Sequence, residues 1–167
     1  MKRMWIGAAL ALLVAVVGIE PASAGAVKLL SGTATFSDSG TAQLFINGCF
    51  VTDFVDGTFT GQFIAQPVGT PVESGSFHSE ACGEFTSPTV VTETGDVTVT
   101  TRVGTLSATE VGTADFSTGA INETWTVTGG TGAYTHATGT ITMTAQGTFT
   151  GPTTFTQSGT LTFNVTR

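Results

Sequence analysis

The sequence predicts an all-β protein, a closed antiparallel β-barrel of about eight strands. Three observations predict it. Threonine occurs 35 times, always after residue 24, and Thr, Val and Phe favour the pleated, half-buried surface of a sheet while Gly marks turns. Side chains alternate with period two over long stretches, as in a strand with one face buried. Beyond the N-terminal segment, no apolar run at helical spacing is long enough to make a full helix. Short antiparallel strands with turns between them suit a barrel or a sandwich, and closure into a barrel removes the exposed edges of the sheet.

The chain begins with a segment of a different kind. Lys2 and Arg3 provide a basic start, Ile6 to Ile19 an apolar run, and Ala22-Ser23-Ala24 a small-residue cleavage site, the anatomy of a secretory signal peptide. The apolar run is shorter than the roughly 20 residues a membrane-spanning helix needs. The expectation is a cleaved leader, residues 1–24, and one barrel domain, residues 25–167, located outside the cell or in the periplasm, with no membrane association after cleavage.

Strand patterns then follow in order at about Val27 to Phe36, Ala42 to Val55 with an interruption near Gly48, Thr58 to Gln66, and Val72 to Glu80. They continue at Thr89 to Glu93, Val97 to Val103, Thr105 to Val111, Ala120 to Val127, Gly139 to Phe149 and Thr153 to Val165. Pro67 to Pro71 reads as a turn or loop. The clearest alternation lies near the C-terminus. Ile121, Glu123, Trp125 and Val127 share one parity; Ile141, Met143, Ala145, Gly147 and Phe149 share a face in the next strand; Phe155, Gln157, Gly159, Leu161, Phe163 and Val165 do so in the last. The opposite faces are nearly all hydroxyl-bearing. Between the first two of these strands, Gly129, Gly130 and Gly132 allow a sharp exit into a short irregular or single-turn helical segment at Ala133 to His136, where Tyr134 plugs one end of the core.

Without the leader, three cations (Lys28, Arg102 and Arg167) face eleven carboxylates, a net charge of −8. So few basic residues exclude ordinary nucleic-acid backbone binding and attraction to anionic lipid. The acids read as scattered through turns such as Asp38, Asp56, Asp96 and Asp115, where they keep an exported protein soluble.

Cys49 and Cys82 are the two cysteines, and in an exported chain an intramolecular disulfide is the expected state. His78, Glu80 and Cys82 alternate on one strand face, but with the thiol oxidised and two histidines in the chain no dedicated metal site is expected. No Gly-x-Ser-x-Gly elbow accompanies the Ser, His and Asp residues. His136, after Tyr134, reads as a loop histidine. Glu123 is the one catalytic candidate. If Ile121, Trp125 and Val127 face the barrel interior, Glu123 does too and is desolvated unless paired; if it lies at the barrel mouth, water reaches it. Arg102 has the wrong parity to pair with it.

The segment Trp125 to Thr144, WTVTGGTGAYTHATGTITMT, resembles the signature of the allene oxide cyclase and dirigent-like β-barrels, here as a bacterial secreted member. In that signature a strand ends in a Gly-Gly-Thr/Ser-Gly turn, an aromatic and a small residue follow, and another glycine opens the next strand. Thr135-His136-Ala137 is more polar than the usual filler. The resemblance implies a barrel that holds a reactive substrate in shape without a metal or organic cofactor. The families' catalytic residues lie outside the signature, so none is carried over.

Two readings of function from different classes follow, with a third beside them. The first is a non-catalytic barrel binding a small apolar molecule or a surface partner, with Glu123, Trp125 and Tyr134 as candidate ligand-binding residues; no catalytic constellation opposes it. The second is a cofactor-free isomerase or cyclase. The third is a structural role at the cell envelope. An empty apolar cavity with one or two ionisable groups favours the first two, and a core filled by Phe side chains favours the third.

Overall fold

The protein is an eight-stranded, closed antiparallel barrel in which each strand pairs with its neighbours in sequence and the last closes on the first. The computed structural model describes residues 28–44, 49, 51–65 and 70–167. The proposed leader, the interruption near Gly48 and most of the Pro67–Pro71 loop lie outside the described residues. The strands are β1 (Lys28–Leu44), β2 (Val51–Ala65), β3 (Thr70–Phe85), β4 (Val90–Thr101), β5 (Gly104–Asp115), β6 (Ala120–Gly130), β7 (Thr138–Phe149) and β8 (Thr154–Thr166). A 3-10 turn at Gly132–Tyr134 interrupts the β6–β7 connection, overlapping the helical turn expected at Ala133 to His136 but ending two residues sooner.

Ten sequence segments become eight strands because several glycines and acids that read as turns lie inside strands. Gly57 falls in the gap between two segments; it faces inward in β2, where an added Cβ would collide with the ring of Phe77. Gly95, between Thr89–Glu93 and Val97–Val103, faces inward in β4 against the backbone of β3. In a narrow barrel the missing side chain admits the neighbour's large one. The same correction applies to the acids. Asp38, Asp56 and Asp96 are strand residues, and Asp115 alone of the four sits where a strand meets a turn, accepting hydrogen bonds from the Ser117 amide and hydroxyl.

The parity read for β6, β7 and β8 is the observed one. Trp125, Val127, Ile141, Met143, Leu161, Phe163 and Val165 are buried, and Thr124, Thr126, Thr142, Thr144, Thr160 and Thr162 are exposed. One half of the barrel is filled by these residues together with Leu30, Phe59, Val99 and Leu106. Edge-on and tilted ring contacts organise it: Phe36–Phe77 at 5.6 Å, Phe77–Trp125 at 5.3 Å and Phe59–Phe163 at 5.4 Å between centroids, spacings at which ring quadrupoles attract.

Tyr134 closes this apolar end. Gly132, at φ 59°, takes the left-handed conformation that starts the turn without a steric penalty. The amides of Ala133 and Tyr134 then bond to the carbonyls of Val103 and Thr131 at 3.0 Å each. The Tyr134 ring is fully buried, and its hydroxyl lies 3.0 Å from Thr101 Oγ1, so its polar tip is satisfied.

At the opposite end Cys49 and Cys82 form a disulfide, with Cα atoms 5.3 Å apart. It links the segment before β2 to β3 across 33 residues, consistent with an oxidising compartment. In the chain-entropy account such a loop contributes about 3 to 4 kcal/mol. Chemical denaturation with and without reductant checks this: the reduced protein is expected to lose stability by about that amount, with two thiols appearing on alkylation. Unchanged stability on full reduction would show that the sheet alone holds this corner.

Candidate functional site

The end of the barrel away from Tyr134 holds a cavity of about 400 Å³, a size typical of small-molecule sites. It opens by the β5–β6 turn, which contributes Phe116 to Gly119, and by the β7–β8 connection, flanked by Phe149 and Phe155. Phe77, Trp125 and Met143 separate it from the filled half. The rim is aromatic: Phe85, Phe116, Phe149 and Phe155 form a chain of edge-on contacts at 5.5 to 6.1 Å. Three of these rings stay more than a third exposed, Phe149 the most at 47 %.

The wall is acidic. Asp53 from β2, Glu93 from β4, Glu110 from β5 and Glu123 from β6 all line the cavity, and Asp38 from β1 lies beside Gln157 at its edge. Strand register explains the convergence. Each acid occupies an inward position, in phase with buried apolar residues of its own strand: Glu110 with Leu106 and Ala108, Glu93 with Val91 and Val97. Glycines opposite them leave the space. Gly112 pairs with Glu123, and a Cβ there would strike the Glu123 side chain; Gly95 pairs with Glu110, whose Oε1 would lie 2.9 Å from an added Cβ.

Hydrogen bonds from neutral groups partly compensate the burial. Ser79 donates to Glu110 Oε2 at 2.7 Å, Trp125 Nε1 to Glu123 Oε2 at 2.7 Å, and Gln157 Nε2 to Asp38 Oδ2 at 2.8 Å. Glu93 and Asp53 bond to each other. Asp38 Oδ1 and Asp53 Oδ1 are buried with no hydrogen-bond partner. Among the described residues lining the cavity there is no Lys, Arg or His. Arg102 lies at the closed end, where its charge acts on Tyr134.

Burial without a cation raises every one of these carboxyls. Desolvation and then the charge of Asp53 push Glu93 to about 10; desolvation and then the charge of Glu110 push Glu123 to about 8. Glu110 and Asp38 are each raised to about 7 by desolvation, against the lowering effect of their hydrogen bonds. Desolvation raises Asp53 as well, opposed by its bond to Glu93. At neutral pH the wall is therefore a mixture of neutral acid and carboxylate, with Glu93 the proton-bearing partner of Asp53.

Of the residues singled out from sequence, Glu123 and Trp125 meet in this cavity through their hydrogen bond, Glu123 being partly rather than fully enclosed. Tyr134 is at the far end and does not line it. His78, Glu80 and Cys82 lie on the outer face: His78 Nδ1 is 2.8 Å from Asp56 and Nε2 3.4 Å from Glu80, while Cys82 is in the disulfide. No group of three or more His, Cys, Asp or Glu among the described residues is arranged to hold a metal ion. Sequence reading missed Asp38, Asp53, Glu93 and Glu110, although each shares parity with buried neighbours.

The fold and site together define a class: a closed, eight-stranded antiparallel barrel, filled at one end and opening at the other into a carboxyl-lined cavity. No family model and no curated protein matches the chain.

The raised acids set how stability depends on pH. A carboxyl with a folded pKa above its unfolded value binds more protons in the native state, so its contribution is fully present below the unfolded value, near 4.5 for Glu. That contribution is lost as pH rises through the folded values, about 7 to 10 here. The expected result is a melting temperature that falls between pH 5 and pH 9, corresponding to a loss on the order of a few kcal/mol. Glu110→Gln is expected to flatten that slope. A melting temperature that stays flat across this window would show the wall is ionised and compensated throughout.

Proposed function

We propose that this protein is a small-molecule-binding barrel whose site is the carboxyl-lined cavity. The observation that carries the reading is the asymmetry of the interior: one half is packed solid by aromatic and aliphatic side chains, while the other keeps about 400 Å³ open behind a ring of exposed phenylalanines. A barrel built for structure alone gains by filling that space with side chains, since voids cost dispersion contacts. Aromatic walls and a few convergent polar groups are the usual make-up of ligand sites. The outward faces of the strands, rich in exposed Thr and Ser, suit water and are the reverse of the apolar band of a membrane barrel.

The leader-like N-terminus and the disulfide support an extracytoplasmic location for this binding. The glycine-turn resemblance supports kinship with the allene oxide cyclase and dirigent-like barrels, which also use their interiors. A second reading, a cofactor-free isomerase or cyclase, draws support from Glu110 and Glu123, two interior carboxyls whose raised values near 7 and 8 suit proton transfer at neutral pH.

A neutral, solvatochromic dye such as N-phenyl-1-naphthylamine tests the site. It is expected to bind one per chain with enhanced emission. Ala81→Phe and Ala114→Phe, which fill the cavity from two walls, are expected to weaken it at least about tenfold, or 1.4 kcal/mol, while far-ultraviolet circular dichroism and melting stay near wild type. Saturable binding that neither substitution affects would place the dye elsewhere and sink the proposal.

A further inference from the structure

We propose that the natural ligand class of the cavity is a small organic cation, an amine with an apolar body, its nitrogen held among Asp53, Glu93, Glu110 and Glu123 and its body against Phe77 and Trp125. This deepens the proposed small-molecule binding and rests on it. The cavity receives acids from separate strands and, among the described residues, no basic side chain. Two acceptor atoms remain unanswered: Asp53 Oδ1, on the cavity wall, and Asp38 Oδ1. Asp38 is only 9 % exposed, projects on the same inward face of β1 as the cavity-lining Ala42, and shares Gln157 with the cavity. Buried acceptors of this kind carry a desolvation cost that a donor removes, and an ammonium brings up to three donors with the complementary charge.

The surroundings narrow the class further. The space is far larger than one ion needs, and no metal-holding group is formed among the described residues. An anion would meet acids on several sides. A neutral apolar guest would leave Asp53 Oδ1 unanswered. The rings of Trp125 and Phe77 on the cavity wall, and those of Phe116 and Phe149 at the entrance, suit a cation through their quadrupoles as well as an apolar body.

Charge linkage gives the proposal a signature. The titratable groups lining the site are Asp53 of β2, Glu93 of β4, Glu110 and, at the mouth, Asp115 of β5, and Glu123 of β6, with Asp38 of β1 beside it through Gln157, while β3, β7 and β8 present Ser79, Met143 and Gln157. A cation favours their ionised forms. Binding therefore releases protons, and affinity rises with pH until the amine itself loses its charge, near 10 for an alkylamine like that of lysine.

Isothermal titration of the protein with three ligands sharing one body, 4-phenylbutylamine, 4-phenylbutanol and 4-phenylbutyrate, tests the assignment. The amine is expected to bind at least about tenfold more tightly than the alcohol, with the carboxylate weakest. Amine affinity should rise from pH 6 to pH 8.5, and buffers of different ionisation enthalpy should report proton release. Glu110→Gln and Glu123→Gln are expected to cut amine affinity about tenfold each and leave the alcohol's within about twofold. Alcohol binding as tight as the amine's, or amine binding that falls with rising pH, overturns the cation assignment while leaving the cavity as a binding site. Amine binding indifferent to both substitutions in folded protein also overturns it, as surface attraction. Failure of all three ligands to bind in protein whose cavity binds the dye overturns the cation assignment alone, and failure of the dye as well removes both proposals. If a variant does not fold, the wild-type ligand series and its pH dependence still separate these outcomes.

Discussion

Five interior carboxyl groups share one end of a narrow barrel whose cavity wall carries no basic side chain among the described residues, and most of the local architecture answers that constraint. Like charges in a low-dielectric space repel strongly and are poorly solvated. The protein meets this by supplying neutral donors where a strand can place them, Ser79 to Glu110, Trp125 to Glu123 and Gln157 to Asp38, and by holding protons on the acids themselves. The glycines opposite Glu110 and Glu123 follow from the same need, since a side chain on Gly95 or Gly112 would occupy the volume the carboxyls take. Natural sequences depart from local consistency mainly where function demands it, and an acidic interior is such a departure.

The filled half of the barrel makes that departure tolerable. Its interdigitated rings and aliphatic side chains, closed beneath by Tyr134 with its hydroxyl matched to Thr101, provide the hydrophobic stabilisation that the cavity end forgoes. Trp125 belongs to both halves. Its ring packs at 5.3 Å against Phe77, and its indole nitrogen reaches Glu123, so the orientation of the core and the position of the acid are fixed by one side chain. The disulfide at the open end restrains the chain entering β2 against β3, near where Asp53 joins the wall.

Period-two alternation carries the strands and their facing because one side of each is buried and the other wet, a contrast that composition records directly. Glu123 is legible by that rule, as the odd polar member of the Ile121, Trp125, Val127 set. The same rule applies to Asp38 after Ala34 and Phe36, to Glu93 between Val91 and Val97, and to Glu110 after Leu106 and Ala108. Asp38 escapes a sequence reading because an acid near glycines resembles a turn, whereas the glycines here provide interior space; Glu93 and Glu110 fall within strand segments, where nothing local shows that acids of different strands meet. The meeting of the acids, and the displacement of Tyr134 to the opposite end, depend on barrel closure and on register between strands up to 119 residues apart in sequence, as Asp38 and Gln157 are. No local pattern contains that information.

The interior acids retain protons at neutral pH because they face one another across a poorly solvated space. Carbon-13 nuclear magnetic resonance of the side-chain carboxyls, followed across pH with Glu93→Gln, Glu110→Gln and Glu123→Gln for assignment, reads this without any ligand. Apparent midpoints at or above about 7 for these three glutamates, shifting together when one is neutralised, are the predicted result. Independent titration of all three near the ordinary glutamate value of about 4.3 would contradict the account.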